Sequence, residues 1–150
     1  MATERTLILL KPDAVQRSLC GEILRRFEAK GLKIAGMKLQ ALPRDLVETH
    51  YEAHREKPFF GDLVSFMTSG PVVVLALEGN SAIEVCRKMM GQTFGYQADP
   101  GTIRGDFGIS SQFNLVHGSD SPEAAERELS LFFSDGEVID YAKVDDALHG

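Results

Sequence analysis

The chain has 150 residues, of which 43% are hydrophobic and 25% charged, the composition of an ordinary single-domain globular protein. Its net charge of −6 argues against a protein whose main partner is nucleic acid, because such proteins present a basic surface. No apolar run approaches the roughly 20 residues that span a bilayer, and no signal-peptide core is present. Cys20 and Cys86 form no CxxC unit and are expected to be reduced packing residues. We therefore expect a cytoplasmic protein with residues 1–150 as one domain.

The N-terminal part of the chain predicts a β-α-β unit. Thr6–Leu10 is a short apolar run typical of a strand buried on both faces. Pro12 opens a helix whose apolar face repeats every fourth residue and which ends at Gly31. A second strand is expected over 32–41, with a bulge at Gly36, where the apolar alternation slips.

The middle of the chain predicts a helical insertion and a third strand. Three- and four-residue spacing indicates a helix over Arg44–His54, which Pro58 interrupts. A second short helix is expected around 63–67. Val72–Leu77 is the clearest strand in the chain because it consists almost entirely of β-branched and aliphatic residues.

The C-terminal part predicts a helix, a long loop, a strand and a last helix. Ser81 starts a capping-box pattern, and Ser121 starts the final helix. Between these helices, residues 92–112 are irregular and rich in glycine, which is typical of a functional loop. A short strand over Phe113–Val116 is expected to end at His117.

This order of elements is β-α-β, a helical insertion, and β-α-β. It predicts an α+β fold of the ferredoxin-like split β-α-β type. In that arrangement a four-stranded antiparallel sheet carries its helices on one face.

Two familiar motifs in the chain carry no function here, and a third is absent. Asp106-Phe107-Gly108 spells the DFG of protein kinases, but the chain is too short for that fold and lacks the HRD loop. Arg104-Gly105-Asp106 spells a cell-adhesion tripeptide in a chain without a sign of secretion. The chain has no GxxxxGK[ST], so the phosphate-loop ATPases are excluded.

The segment Asn114–Ser121 carries the main chemical signal, because it places His117 at an expected strand end with a glycine after it. A lone histidine is more often structural than catalytic. Here, however, cations also fall at predicted element ends or in loops. Lys11 follows the first strand, Arg87 lies on a helix, and Arg104 lies in the glycine-rich loop. Lys11 and Arg87 alone would read as surface charges, whereas the glycines around Arg104 allow a ligand to approach closely.

Six segments together resemble one family: Thr6–Asp13, His50–Tyr51, Lys57–Phe60, Pro100–Asp106, Asn114–Ser121 and Glu128–Leu129. They resemble the nucleoside diphosphate kinases, and the resemblance covers nearly the whole chain. It implies a phosphotransferase in which a nucleoside triphosphate gives its γ-phosphoryl to His117. A second nucleoside diphosphate then takes that group away, in a ping-pong reaction.

The resemblance also implies which residues bind the nucleotide. Phe59 stacks on the base, and Leu63 lines the same slot. Lys11 and Asn114 hold the sugar hydroxyls, and Lys11 also lies near the transferred phosphoryl group. The phosphate chain is bound by Arg87, Thr93 and Arg104. Stacking suits broad tolerance of bases because every base has a π-face.

Around His117 the resemblance implies three further roles. Tyr51 sits beside the histidine, Glu128 orients its imidazole, and Ser119 lies nearby. These roles make physical sense, because only the neutral imidazole attacks phosphorus and a carboxylate on one ring nitrogen fixes the tautomer. Mg²⁺ is expected to be bound mainly through the nucleotide phosphates, adding positive charge at the transferring group.

Three features depart from the family pattern. Phe94-Gly95 stands where the family commonly has Asn-Pro, and Gln112-Phe113 stands where it commonly has Gly-Arg. The tail Tyr141–Gly150 matches no pattern. None of these falls on a residue with an assigned role. The resemblance implies a homo-oligomer, a hexamer first and a tetramer second, and the departures bear on its subunit contacts.

Two other classes of function stay open. A non-catalytic nucleotide-binding regulatory module could use the same ferredoxin-like scaffold. Retention of His117 weighs against it, because a pure binder needs no nucleophile. A scaffold or DNA-binding role is disfavoured by the negative net charge. The expected partners are thus nucleoside di- and triphosphates, with neither a membrane nor, as primary partner, nucleic acid.

Overall fold

The computed structural model describes residues 3–150 and has an α+β fold. Its strands are β1 (Thr3–Leu10), β2 (Lys33–Gln40), β3 (Val72–Asn80) and β4 (Val116–Gly118). Its helices are α1 (Pro12–Gln16), α2 (Cys20–Lys30), α3 (Arg44–His50), α4 (Phe60–Met67), α5 (Ala82–Met90), α6 (Ile103–Phe107) and α7 (Pro122–Phe132). Single 3₁₀ turns occur at Glu52–His54, Gly95–Gln97 and Asp146–His149. All strand pairs are antiparallel, in the order β2-β3-β1-β4, which confirms the ferredoxin-like topology.

The sheet is covered by helices on both faces, so the expectation of helices on one face is wrong. Leu7–Leu10 of β1 have no exposed surface. Ile8 and Leu10 pack with side chains of α2, α5 and α6 in one core, whereas Leu7 and Leu9 pack with α3, α4 and α7 in a second core. The physical reason is the apolar run itself, because successive strand residues point to opposite faces and each face needs a cover.

The single helix expected after Pro12 is two helices. Ser18, with φ 58, ends α1 in the left-handed conformation. Ser18 N–H donates to Val15 O at 3.1 Å and Leu19 N–H donates to Ala14 O at 2.9 Å. This pair of bonds is a Schellman motif, which stops a helix. Apolar spacing continues across the break, so the pattern alone did not reveal it.

The bulge expected in β2 is confirmed. The pairing with β3 shifts between Ile34 and Gly36, which leaves Ala35 as the extra residue. The carbonyl of Ala35 instead accepts a hydrogen bond from Ile139 N–H at 2.8 Å. The C-terminal segment therefore lies along this half of the β2 edge.

The two expected helix caps differ in outcome. Ser121 accepts a hydrogen bond from Ala124 N–H at 3.1 Å and caps α7. Ser81 has φ 53 and its side chain does not cap α5. Glu4 Oε1 instead accepts a hydrogen bond from Ile83 N–H at 3.2 Å. A carboxylate from the neighbouring strand thus replaces the local capping box.

The two cysteines are free thiols in separate helices, as expected. Burial raises the pKa of the Cys86 thiol to about 12, so this sulfur behaves as an inert packing group. Within residues 3–150, no helix is both long enough and apolar enough to cross a membrane.

Candidate active site

The site forms where the ends of β1 and β4 lie side by side. Leu9 of β1 pairs with His117, so the histidine lies in the middle of β4 and not at the end of a strand over 113–116. The reason is Leu115, whose φ of 74 is rare for a leucine and turns the backbone just before β4. Leu115 N–H donates to Asp13 Oδ2 at 3.1 Å, and Leu115 O accepts from Lys11 N–H at 2.8 Å. These bonds hold the turn against the end of β1.

His117 is oriented by a buried carboxylate. His117 Nε2 donates to Glu128 Oε1 at 2.9 Å, and the Ser119 hydroxyl donates to the same oxygen at 2.8 Å. Burial raises the pKa of Glu128, but the hydrogen bond and charge of His117, with the bond from Ser119, bring it below its ordinary value. An ionised carboxylate only accepts hydrogen bonds, so Nε2 carries the proton and Nδ1 carries the lone pair.

Lys11 is buried next to β4, the strand that carries His117. Its Nζ donates to Asn114 Oδ1 at 2.8 Å, and Asn114 Nδ2 donates to Thr93 O at 3.2 Å. Burial, followed by the charge of Arg104, lowers the pKa of Lys11 to about 8, although Asp13 raises it. Lys11 is therefore still a cation at neutral pH, but it titrates at a much lower pH than an exposed lysine.

Arg104 supports the backbone as well as carrying charge. It is 6% exposed and donates to Gly91 O at 2.9 Å, Asn114 O at 3.1 Å and Val116 O at 2.7 Å. A guanidinium has five N–H groups, so two remain for a ligand. Burial and the charge of Arg87 lower the pKa of Arg104 to about 10, which leaves it charged at neutral pH.

A cavity of about 890 Å³ joins these groups. All but one of the predicted site residues line it: Lys11, Tyr51, Phe59, Leu63, Arg87, Thr93, Arg104, Asn114, His117 and Glu128. The exception is Ser119, which is fully buried behind Glu128 and also accepts a hydrogen bond from Leu7 N–H at 3.2 Å. Phe59 is 47% exposed, which suits an aromatic platform open to a ligand.

Sequence reasoning missed His50, although it quoted His50–Tyr51 as part of the resemblance. The His50 ring lies 4.7 Å from the His117 ring at 87°, and its two nitrogens are buried without a hydrogen-bond partner among residues 3–150. Burial, followed by the charge of His117, lowers the pKa of His50 to about 3 and keeps it neutral. The helical spacing of His50 resembled that of a core residue, and it concealed this contact.

Two of the departures from the family pattern also reach the cavity. Phe94 and Gln112 are among its lining residues. Neither was assigned a role from the sequence, but both lie beside residues that were. The segment 91–112, which contributes Thr93 and Arg104 to the cavity, contributes these two residues as well.

A second cavity, also about 890 Å³, lies on the other side of Arg87. Its lining includes four carboxylates, Glu4, Glu84, Asp99 and Asp120, against the two cations Arg87 and Lys88. This surface disfavours a polyanion. The cavity around His117 is therefore the one whose charge suits phosphates.

The sequence profile of the nucleoside diphosphate kinases matches residues 4–138. The chain belongs to this family. It is 56% identical over 140 residues to the nucleoside diphosphate kinase of Oceanobacillus iheyensis, covering 93% of this chain and 95% of that one. The corresponding protein of Archaeoglobus fulgidus is 54% identical over 143 residues, with 95% of each chain covered. The chain is accordingly an enzyme, a phosphotransferase.

Solved structures of family members have the same fold. The nucleoside diphosphate kinase of Halobacterium salinarum, in complex with CDP, superposes with a TM-score of 0.97 at 46% identity and 99% coverage of both chains. The family protein of Babesia bovis superposes with a TM-score of 0.95 at 44% identity, covering 98% of this chain and 99% of that one.

Proposed function

We propose that the chain transfers the γ-phosphoryl group of a nucleoside triphosphate to a nucleoside diphosphate through a phosphohistidine on His117. The observation that carries this proposal is the bond from His117 Nε2 to Glu128 Oε1 at 2.9 Å. It fixes the proton on Nε2 and presents the Nδ1 lone pair as a nucleophile. The Halobacterium relative has been solved in complex with CDP, which supports nucleoside diphosphates as ligands of this site.

In the first half-reaction the Nδ1 lone pair forms a bond to the γ-phosphorus. The bond between that phosphorus and the bridging oxygen breaks, and its electron pair leaves with the nucleoside diphosphate. Glu128 stabilises the positive charge that the ring acquires. In the second half-reaction a terminal oxygen of another nucleoside diphosphate attacks the phosphorus, and the electron pair of the P–N bond returns to Nδ1.

Positive charge around the transferring group provides the main electrostatic stabilisation. Lys11, Arg87 and Arg104 line the same cavity as His117. We assign Arg87, Thr93 and Arg104 to the phosphate chain, and Lys11 also to the transferred group. The one buried carboxylate of the cavity, Glu128, is engaged by His117 and Ser119. This donor set fits Mg²⁺ that arrives on the nucleotide phosphates better than a cage of protein ligands.

The nucleoside is assigned to the mouth of the cavity. Phe59 would stack on the base with Leu63 beside it, and Lys11 and Asn114 would bind the sugar hydroxyls. Because stacking reads no hydrogen-bond pattern, we expect purine and pyrimidine nucleotides to be accepted in ribo and deoxyribo forms. Tyr51 lies next to the His50 ring, and burial raises the pKa of its phenol, so it stays a neutral neighbour.

The proposal also covers the domain organisation, the oligomeric state and the cellular location of the protein. We infer a single domain over 1–150, since the family profile spans 4–138. From the family resemblance we infer a homo-oligomer, a hexamer first and a tetramer second. Met37 and Leu39, which are 56% and 65% exposed on the edge strand β2, support association of copies without distinguishing the two sizes. We place the protein in the cytoplasm, where nucleotides are abundant and free thiols such as Cys86 stay reduced.

The decisive experiment compares His117→Ala with His149→Ala, a matched change in the C-terminal tail. Each protein is incubated with labelled ATP and Mg²⁺, denatured, and assayed for protein-bound phosphate that is labile in acid. We expect His117→Ala to lose this phosphate and turnover but to keep ADP affinity by calorimetry, and His149→Ala to behave as the wild type.

Two results would remove His117 as the nucleophile. One is turnover of more than a few per cent in His117→Ala, and the other is loss of ADP binding as complete as the loss of turnover. Double-reciprocal plots for the wild type should be parallel. Intersecting lines without ATP–ADP exchange would instead favour direct transfer in a ternary complex, and absence of turnover would favour a non-catalytic role.

A further inference from the structure

His50 has no role in the phosphoryl transfer described above, yet its position is costly. Its two imidazole nitrogens are buried and lack hydrogen-bond partners among the residues that the structure describes, 3–150. Burial of polar atoms without partners is unfavourable, and such groups in a folded protein call for an explanation. The polar groups beside the ring include the imidazole of His117, whose centroid lies 4.7 Å away, and the carboxylate of Glu128.

The three side chains form a compact set of metal-type ligands. One ligand atom from each of His50, His117 and Glu128 lies within 4.8 Å of the other two. Two imidazole nitrogens and a carboxylate oxygen are the donors that Zn²⁺ and neighbouring first-row divalent ions prefer. Mg²⁺ prefers oxygen ligands alone, so this set is distinct from the binding of Mg²⁺ through nucleotide phosphates.

We propose that His50, His117 and Glu128 form a site for a divalent transition-metal ion, Zn²⁺ in the first place, and that the bound ion switches the nucleophile off. The geometry is suitable, because the three ligand atoms lie within 4.8 Å of one another and His50 and His117 lie with their rings 4.7 Å apart. All three side chains line the cavity, so water can reach the fourth position of a tetrahedral ion.

The switch follows from the two ring nitrogens of His117. Without metal, Nε2 carries the proton and Nδ1 carries the lone pair. When a metal ion binds Nε2 and Glu128 Oε1, the proton of Nε2 moves through solvent to Nδ1. The neutral ring keeps one proton throughout, so none is released. Nδ1 then has no lone pair with which to attack phosphorus. Metal binding stands independently of the proposed function, whereas the inhibition rests on it.

Binding is tested with the full chain and Co²⁺ or Zn²⁺ alone. Four-coordinate Co²⁺ absorbs visible light much more strongly than the six-coordinate ion on a protein surface, so absorbance reports a built site. We expect the wild type to take up one Co²⁺ with the intense band and to exchange it for Zn²⁺. His50→Gln should lose at least about 100-fold in Zn²⁺ affinity, because even outer partners of ligands are worth 10–100-fold.

The matched control is His149→Gln, since His149 with Asp145 is the obvious adventitious surface pair. We expect it to bind as the wild type does. Equal affinity of His50→Gln and wild type, or only the weak band of surface-bound Co²⁺, would overturn the proposal. If His50→Gln does not fold, histidine ¹⁵N NMR of the wild type during a Zn²⁺ titration decides. Resonances of His50 and His117 should shift with one equivalent while those of His149 stay; the reverse pattern overturns the site.

Inhibition is tested by phosphoenzyme formation from Mg·ATP at free Zn²⁺ fixed by a chelator. We expect the yield to fall in step with site occupancy in the wild type and in His149→Gln, with ADP affinity retained. A yield independent of Zn²⁺ at a filled site would refute the switch. Absence of phosphoenzyme even without Zn²⁺ would instead refute the proposed function, so the two failures are distinguishable.

Discussion

The ammonium group of Lys11 lies almost fully buried next to the Arg104 guanidinium, and both burial and that charge favour its neutral form. Because its pKa is lowered to about 8, Lys11 loses its proton as the pH rises through about 8. We therefore predict that kcat/KM, which reports the free enzyme, falls above pH 8. Lys11→Arg, which cannot titrate there, should lower the rate but remove this alkaline limb.

The control for this pH profile is Lys88→Arg. Lys88 is exposed and pairs with Glu84 on α5, so its replacement should leave the profile unchanged. If the fall of kcat/KM near pH 8 persists in Lys11→Arg, then a group other than Lys11 causes it.

Arg104 combines charge with structural support, and its replacement should therefore affect both activity and stability. We predict that Arg104→Lys lowers turnover by about 10²–10³, because a charge-stabilising donor is displaced. It should also lower the free energy of unfolding by about 2–3 kcal/mol, since at least two buried carbonyls lose their donor. Urea unfolding measures the second effect.

Arg87→Lys is the matched control for stability. Among residues 3–150, Arg87 donates one hydrogen bond to the backbone, from Nη1 to Gly118 O at 3.2 Å. We expect its free energy of unfolding to change by less than about 1 kcal/mol. Equal stability of the two lysine variants would show that the three carbonyl bonds of Arg104 contribute little.

The loop over 91–112 positions Thr93 and Arg104, and a glycine allows its tight path. A Cβ on Gly105 would overlap the carbonyl group of Asp99. Thr102 Oγ1 donates to that carbonyl at 2.6 Å and accepts from Gly105 N–H at 3.0 Å. We predict that Gly105→Ala lowers the free energy of unfolding by about 1–3 kcal/mol and weakens ADP binding, as measured by denaturation and calorimetry.

Gly21→Ala provides the comparison on α2. A Cβ on Gly21 meets no atom within 4 Å, so this change should leave ADP binding intact and stabilise the fold by up to about 1 kcal/mol. If Gly105→Ala behaved in the same way, the close contact with Asp99 would not constrain the loop.

The elements were predictable from the sequence where apolar periodicity and local cues agree. The bulge in β2 and the cap at Ser121 are examples. Prediction failed where long-range contacts decide. The break at Ser18 follows from a left-handed residue that is not glycine, and the late start of β4 follows from the turn at Leu115. Both residues have a positive φ, and neither serine nor leucine is a residue type that indicates this conformation.

The same distinction applies to the site. Most of its residues were predicted from the family resemblance, and the cavity brings them together. The role of Arg104 in holding three backbone carbonyls was not predictable, because those carbonyls belong to residues 91, 114 and 116. The contact of His50 with His117 likewise depends on how α3 packs beside β4.

For the whole molecule, the exposed edge of β2 predicts how copies of the chain associate. Residues near Ile139 cover the half of β2 around Ala35, whereas Met37 and Leu39 are exposed on the other half. We predict that Leu39→Glu shifts the wild-type oligomer to smaller species in sedimentation velocity, because a carboxylate at a buried apolar contact is unfavourable. Leu39→Met should keep the assembly.

A stable monomer of the wild type at micromolar concentration would contradict the inferred oligomer. An unchanged assembly of Leu39→Glu would move the interface away from this half of β2. Either result would leave the phosphoryl transfer untouched, since Met37 and Leu39 are not among the residues that line the cavity.

The two ends of the cavity are built from elements of unequal rigidity. His117 is in β4, whose backbone hydrogen bonds join the central strand β1, so its amide should exchange with deuterium only when the sheet itself opens. Phe59 precedes the first residue of α4 and is half-exposed, so its amide should exchange without opening of the sheet. If the base stacks on Phe59 as proposed, we expect bases of different size to be accommodated by small movements at the mouth of the cavity. The nucleophile is meanwhile expected to keep its position, because β4 is hydrogen-bonded to the central strand β1.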